Sequence, residues 1–395
     1  MLNVTRLLGG MPARGDHLRY TGERVHHRPV VVWNITRRCN LHCAHCYAGA
    51  ADRPFPGELT TDEALGVIND LAAYGAPVLL LSGGEPLLRP DLLSLVRHAA
   101  SKGMVPVLST NGTLLTPDAA RELAGAGLSY IGISFDGLEG AHDKFRGSKG
   151  AFQSSMAGLR HARAAGVRVG VRFTLTRLNY DQLEAVLRLA ESEGADRCCV
   201  YHLAYAGRGQ RIVNYDLTHE ETRSAVDTIF AHARANVRPG LEFLTVDNHT
   251  DAVYLYLRLL RDQPARAAEV LALLRRNGGN SAGSGIGCID YMGNVHPDQF
   301  SWHLTLGNVR ERPFSQIWED ESNPVLHGLR HRKGRIHGRC GACPYFDICN
   351  GNLRVRAEST FGDMWAEDPA CYLTNAELGI APDRIVQAAG ASTNA

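Results

Sequence analysis

The stretch Cys39-Asn40-Leu41-His42-Cys43-Ala44-His45-Cys46-Tyr47 decides how the rest of this chain is read. Its C-x3-C-x2-C spacing sets three thiols on one short loop. An iron–sulfur cube is ordinarily held by four cysteines, so three leave one iron open to another ligand. Zinc is the competing reading, with His42 or His45 as fourth ligand. Zinc patterns, however, pair two short ligand clusters, and no second one lies nearby. A disulfide fits less well, because three cysteines this close cannot all pair at acceptable geometry.

Upstream, the β-branched run 30–35 delivers the chain into the loop. From there short apolar runs alternate with amphipathic stretches. Strands are predicted at 30–35, 78–81, 105–109, 130–135, 167–175 and 198–203. Helices are predicted from Thr60 or Thr61 to Tyr74, and at 91–101, 117–124, 152–165 and 180–193. Strands alternating with helices imply an α/β fold with a parallel sheet, closed or partly closed into a (βα)6 TIM-like barrel. Ligands in such folds sit at the carboxyl ends of the strands. Those exits carry the cysteine loop, Ser82-Gly83-Gly84-Glu85-Pro86, Ser109-Thr110-Asn111-Gly112, Ser134-Phe135-Asp136-Gly137 and Ala206-Gly207-Arg208-Gly209. Gly83 and Gly84 would let backbone approach a ligand closely, and Glu85 could accept from an ammonium group.

After about residue 215 the rhythm changes. A helix is expected at 219–236, a strand at 242–246, and helix over 251–276 with a break near Pro264. A Gly/Ser/Asn-rich loop spans 277–287, and 287–298 reads as a hairpin with a two-residue turn at Gly293-Asn294. Residues 1–28 show no period and read as an extended arm or cap. The expected division is arm 1–28, barrel 29–215, helical connection 216–286 and a small domain 287–395. That last part holds five of the ten cysteines, and so small a core needs a staple such as a metal cluster.

The composition is that of an ordinary globular protein: 395 residues, 44% hydrophobic, 21% charged, net charge +1. That balance gives no electrostatic case for nucleic acid or a membrane surface. No apolar run approaches the roughly 18 residues of a membrane span, and no secretory signal is evident. A cytoplasmic location is expected, where ten cysteines point to metal or redox chemistry.

Taken together, the three-cysteine loop, Tyr47 after its third thiol, the GGEP turn and the partial barrel resemble the radical S-adenosylmethionine (SAM) superfamily over residues 29–210. The resemblance implies a [4Fe-4S] cluster on Cys39, Cys43 and Cys46. SAM would chelate its open iron, and an external low-potential donor would supply the electron that generates a 5′-deoxyadenosyl radical. Carried over residue by residue, Ser82, Gly83, Gly84 and Glu85 would line the methionyl group. Tyr47 and the Leu203 backbone would meet the adenine, and Ser134 and Arg146 the SAM carboxylate and ribose. Asn111 and Asp136 are weaker candidates that fit turn positions equally well.

A second group, Cys340-x2-Cys343-x5-Cys349 followed by Cys371, offers four thiolates, enough for a zinc knuckle or a closed cluster. It resembles the SPASM or twitch extension of some radical SAM enzymes, which implies an auxiliary [4Fe-4S] cluster. The full SPASM pattern holds two such clusters. Here Asp298 stands where one cysteine is expected and Leu353 where another is, so only the second site keeps its four ligands. Cys288 is then read as a free thiol or pocket residue. Cys198 and Cys199, adjacent on a strand, should face opposite ways as buried apolar groups.

The runs 201–209, 247–251, 277–280 and 287–290 resemble the radical SAM enzymes of haem d1 biosynthesis. That likeness implies an iron porphyrinoid substrate, didecarboxysirohaem, and removal or conversion of its propionate side chains. Arg208, Arg211, Arg354 and Arg356 are candidates for its anionic rim, and His249, His296 and His303 for an axial ligand. A peptide-modifying maturase is the main alternative, followed by a related haem-pathway decarboxylase. A non-catalytic iron–sulfur or zinc protein would leave the open loop beside GGEP without purpose.

Overall fold

The computed structural model describes residues 1–20, 28–235, 240–381 and 385. Residues 21–27 of the expected arm and the last residue of the 219–236 helix lie outside that set, as does most of the chain beyond 381. Eleven strands form one sheet: β1 Leu2–Asn3, β2 Val30–Thr36, β3 Val78–Gly83, β4 Val105–Thr110, β5 Tyr130–Ser134, β6 Arg168–Leu175, β7 Arg197–His202, β8 Glu242–Val246, β9 Ile286–Ile289, β10 Asn294–His296 and β11 Gly307–Asn308. Their order is β1-β8-β7-β6-β5-β4-β3-β2-β9-β10-β11.

The six expected strands are β2 to β7, each parallel to the next. The sheet then extends beyond both of its expected edges. β8 adds in parallel to β7, and β9 in parallel to β2, pairing Val32 with Cys288. Neither pairing was legible, because β9 meets a partner some 250 residues earlier in the chain. The expected arm includes β1, antiparallel to β8, and a helix Val4–Gly9 whose Val4 and Leu7 are fully buried.

Local rules account for most of the helices. Thr60 and Glu63 form a reciprocal capping box at the start of Thr61–Tyr74, and Gly75 ends it in the left-handed conformation. Thr116 caps Pro117–Gly125 with proline in the first turn. Gln263, followed by Pro264, separates helix Thr250–Asp262 from Pro264–Asn277. The hairpin turn differs from the expected two-residue form. Asp290 accepts from the amides of Met292 and Asn294, Gly293 takes the left-handed position, and Asn294 is already in β10. An acidic side chain hydrogen-bonding its own loop competes successfully with the tighter turn. The short polar helix Glu139–Arg146 has no counterpart in the expectations; it matters for the site below.

Leu, Ile, Val and Phe residues on the outer face of the sheet and the inner faces of the helices form one large core. Cys198 lies in it, whereas Cys199 faces inward beside Tyr201, Leu244 and Val246, as strand alternation requires.

Candidate functional site

Cys39, Cys43 and Cys46 converge beyond the end of β2, packed with Leu41, Ala50 and Ala151. No disulfide joins any of the ten cysteines. Other exits hold the loop in place. The Arg208 guanidinium donates to the carbonyls of Cys43 at 2.7 Å and Ala50 at 2.7 Å, and its own amide donates to the Cys46 carbonyl. The loop amides of His42 and Ala44 donate to the carbonyls of Arg146 and Phe145 on the unforeseen helix. Three donors approach the sulfurs: the Leu41 amide at 3.4 Å and Asn111 Nδ2 at 3.9 Å from Cys39 Sγ, and Arg146 at 3.5 Å from Cys43 Sγ. Burial pushes the Cys39 thiol up to about 12 and raises that of Cys43, a preference that a bound metal ion would reverse.

The GGEP turn is built differently from its sequence reading. A Cβ on Gly83 would lie 2.3 Å from the Thr36 carbonyl, and one on Gly84 would lie 2.1 Å from that of Arg38. The amides of Gly84 and Glu85 donate to those same carbonyls at 2.8 Å. The close approach that demands glycine is therefore to the chain's own cysteine loop. Nor is the Glu85 carboxylate free. It accepts from Thr110 Oγ1 at 2.7 Å, the Asn111 amide at 2.8 Å and the Leu87 amide at 3.1 Å, all out of water. It fixes the β4 exit, and with it Asn111, whose side chain also bonds Asn40.

Inside the barrel a cavity of about 310 Å³ is lined by Tyr47, Ser82, Ser134, Arg146 and Leu203, so the structure brings these expected residues together. Three of them carry further constraints. The Tyr47 hydroxyl donates to Asn34 Oδ1 at 2.8 Å and meets Phe300 edge-on. The Leu203 carbonyl accepts from Arg356 at 3.1 Å, which leaves it one further lone pair. Arg146 is ion-paired with the fully buried Asp136 at 2.5 Å, and Asp136 in turn receives support from the helix, its amide donating to His142 Nδ1. Asp136 is thus more than a turn residue.

Three of the four expected rim arginines are committed elsewhere. Arg356 is buried against Asp368 and the carbonyls of Leu203 and Asp247. Arg354 donates to the carbonyls of Met364, Ala366 and Gly351. Arg208 clamps the loop, and Arg211 is exposed. Of the histidines, His296 is buried between Leu304 and Asp290 and stacks on Trp302, and His303 pairs with Glu358 at the surface. His249 does line the cavity. Sequence reading missed two further lining residues, Arg172 and His202. Alternation along β6 was the available signal for Arg172; on β7 it turns Tyr201 inward and gives His202 the outward parity of Cys198, so His202 reaches the cavity only from the end of the strand.

Cys340, Cys343, Cys349 and Cys371 line one small pocket with Thr250, Val253, Phe346 and Leu378. Backbone amides of Asp368, Tyr345 and Leu373 point at Cys340, Cys343 and Cys371. Among the described residues the only three metal-ligating atoms mutually within 4.8 Å belong to Glu321, His327 and His331. Thiolates around one zinc ion, with bonds of about 2.3 Å, would stand about 3.8 Å apart. Neither cysteine group brings three sulfurs that close together, so neither is spaced for a single tetrahedral zinc. At the positions of the depleted site, Asp298 caps its own loop through the Phe300 and Ser301 amides. Leu353 is buried beside Ala204 and Val355, and Cys288 accepts from Asn34 Nδ2 at 3.2 Å.

An α/β sheet with a parallel core whose strand β2 opens into a three-cysteine loop defines the class. Residues 33–190 match the radical SAM superfamily. The chain is 49% identical to Fe-coproporphyrin III synthase of Methanosarcina barkeri, over 96% of this chain and 99% of that one. It is 44% identical to pre-heme d1 synthase of Dinoroseobacter shibae, over 90% and 89%. It belongs to the radical SAM superfamily and is an enzyme. The fold is shared with SuiB of Streptococcus suis bound to S-adenosylmethionine (TM-score 0.67, 17% identity, 87% of this chain and 77% of that one). It is also shared with anSMEcpe bound to AdoMet (TM-score 0.68, 18% identity, 92% and 99%). Among the described residues no helix is long and apolar enough to cross a membrane.

Proposed function

We propose that the chain acts on an iron porphyrinoid, didecarboxysirohaem, and removes or converts its carboxylate-bearing side chains. The supporting observation is near-full-length identity of 49% and 44% to two synthases named for iron-porphyrinoid products. Propionate removal toward haem d1 is the step implied by the sequence resemblance. A second reading, with Fe-coproporphyrin III as product, is favoured by the higher identity and fuller coverage of the Methanosarcina relative, and on that margin it takes precedence.

In this reading Cys39, Cys43 and Cys46 hold a [4Fe-4S] cluster, and Cys340, Cys343, Cys349 and Cys371 a second, auxiliary one. With SAM bound, the first supplies a 5′-deoxyadenosyl radical able to take a hydrogen atom from an unactivated carbon. The chain's own contribution is positional and electrostatic. Arg146 and Asn111 direct N–H donors at Cys43 and Cys39, which favours added negative charge there. Arg208 and the Gly83-Gly84 contact hold the loop rigid against the barrel mouth. Tyr47, Ser82, Ser134 and the Leu203 amide line the space left for SAM, and Phe300 helps to close it from water. An external low-potential donor is the implied partner.

The test is anaerobic incubation of the reconstituted enzyme with didecarboxysirohaem, SAM and reductant, followed by tetrapyrrole mass and absorbance spectra. Loss of side-chain mass is expected, and the mass itself separates the two products. Formation of 5′-deoxyadenosine with the tetrapyrrole unchanged would remove this substrate and return the peptide-modifying alternative to first place.

A further inference from the structure

Two arginines line the barrel cavity, and they are in opposite electrostatic states. Arg146 is neutralised by Asp136 at 2.5 Å. Arg172, on the inward face of β6, has no carboxylate within ion-pair distance among the described residues. Its polar contacts are Ser109 Oγ at 2.6 Å and the face of Tyr201, 5.7 Å from the ring centroid. The ionisable groups that bear most on it are phenols and a thiol, Tyr201, Tyr130, Cys199 and Tyr47, all uncharged near neutrality. Its Nε–H is buried without an acceptor. A desolvated cation without a counter-charge is costly, and folds seldom keep one unless a ligand completes it.

The neighbourhood is arranged around this guanidinium. Gly132 on β5 leaves the space it occupies: a Cβ there would lie 2.3 Å from Arg172 Nε. Ser134, register-paired with Arg172, and Ser109 bring hydroxyls to the same wall of the cavity. A planar fork with unused N–H groups, flanked by hydroxyls and an aromatic face, has the chemistry of a carboxylate receptor. Of the four arginines on which a sequence reading would place the substrate's acidic rim, Arg208, Arg354 and Arg356 are otherwise engaged, and Arg211 is exposed and does not line the cavity.

We infer that Arg172 is the anchor for a carboxylate of the tetrapyrrole substrate, holding it inside the barrel. The inference rests on the porphyrinoid reading and adds a residue to it. SAM also carries a carboxylate, so the test separates the two sources. Dissociation constants for didecarboxysirohaem and for SAM are measured anaerobically on wild type, Arg172→Gln and Arg172→Lys. The methyl-esterified tetrapyrrole is titrated against wild type and Arg172→Gln. Arg172→Gln should weaken the free-acid tetrapyrrole by at least about tenfold, with partial recovery in Arg172→Lys. Wild type should discriminate against the ester by more than Arg172→Gln does.

Unchanged tetrapyrrole affinity in Arg172→Gln overturns the inference. So does a loss that falls on SAM affinity, which would make SAM the source of the carboxylate. Equal affinity of wild type for acid and ester overturns it whether or not the variants fold. Wild type that binds SAM but no tetrapyrrole is a different failure, of the substrate reading itself.

Discussion

The two cysteine groups use the same donor atom in opposite settings. Cys39, Cys43 and Cys46 sit where five strand exits meet, and charged or polar side chains from distant parts of the chain reach them: Arg146, Asn111 and Arg208. Cys340, Cys343, Cys349 and Cys371 sit among short helices in a mostly apolar pocket, where backbone amides point at three of them and the charged neighbours, Arg339, Arg354 and Asp368, come from the same C-terminal segment. The first arrangement is organised around a missing ligand, with the cavity directly beyond it. The second brings four thiols to one small pocket, enough in the proposed reading to close a cluster without an outside ligand. An incomplete donor set needs outside bracing, because nothing bound within it can hold every ligand in place. A complete set braces itself once filled.

The contrast breaks most sharply with single thiols. Cys43→Ala should abolish SAM cleavage and lower iron content by one four-iron complement. Cys349→Ala should lower iron by the same amount yet leave SAM cleavage measurable. Both are read by 5′-deoxyadenosine formation and iron analysis. If both variants lose cleavage equally, the two regions are not functionally distinct. A smaller effect is expected from Asp136→Asn, which leaves Arg146 as an unpaired buried cation beside Cys43. Chemical denaturation should show a loss of about 3 kcal/mol, with no change in the absorbance of the four-cysteine site.

A pH test sharpens the same side of the comparison. His142 is fully buried as an acceptor from the Asp136 amide, and burial lowers its pKa to about 4. The unfolded chain, near 6.5, therefore binds this proton first. Stability should fall as pH drops from 6.5 toward 4 and gain nothing from His142 above that window, a total on the order of 3 kcal/mol. His142→Asn should flatten that slope. The smallest effect belongs to the closed site. Thr374→Ala removes a capping box three residues after Cys371, at a cost of about 1 kcal/mol in the denaturation midpoint, with SAM cleavage unaltered.

Periodicity exposed the parallel core and both cysteine groups, because these depend on local spacing. It could not reveal where a side chain spends its hydrogen bonds. Glu85 looked like a ligand for an ammonium group and instead ties β4 to the loop. Arg354 and Arg356 looked like a rim and are buried among carbonyls and Asp368. Arg172 passed unremarked in an apolar strand, since nothing in its own sequence neighbourhood shows that no carboxylate faces it. β9 was read only as half of a hairpin, for want of any local signal of its long-range partner.

The pairing of β9 with β2 bears on how this chain can be cut. β2 is the strand that ends in the cysteine loop, and β9 covers its outer hydrogen-bonding edge from Val30 to Trp33. A fragment stopped at residue 285 would expose that row of amides and carbonyls as a template for another chain's strand. Such a fragment should self-associate, so the superfamily core of this protein is not a portable unit.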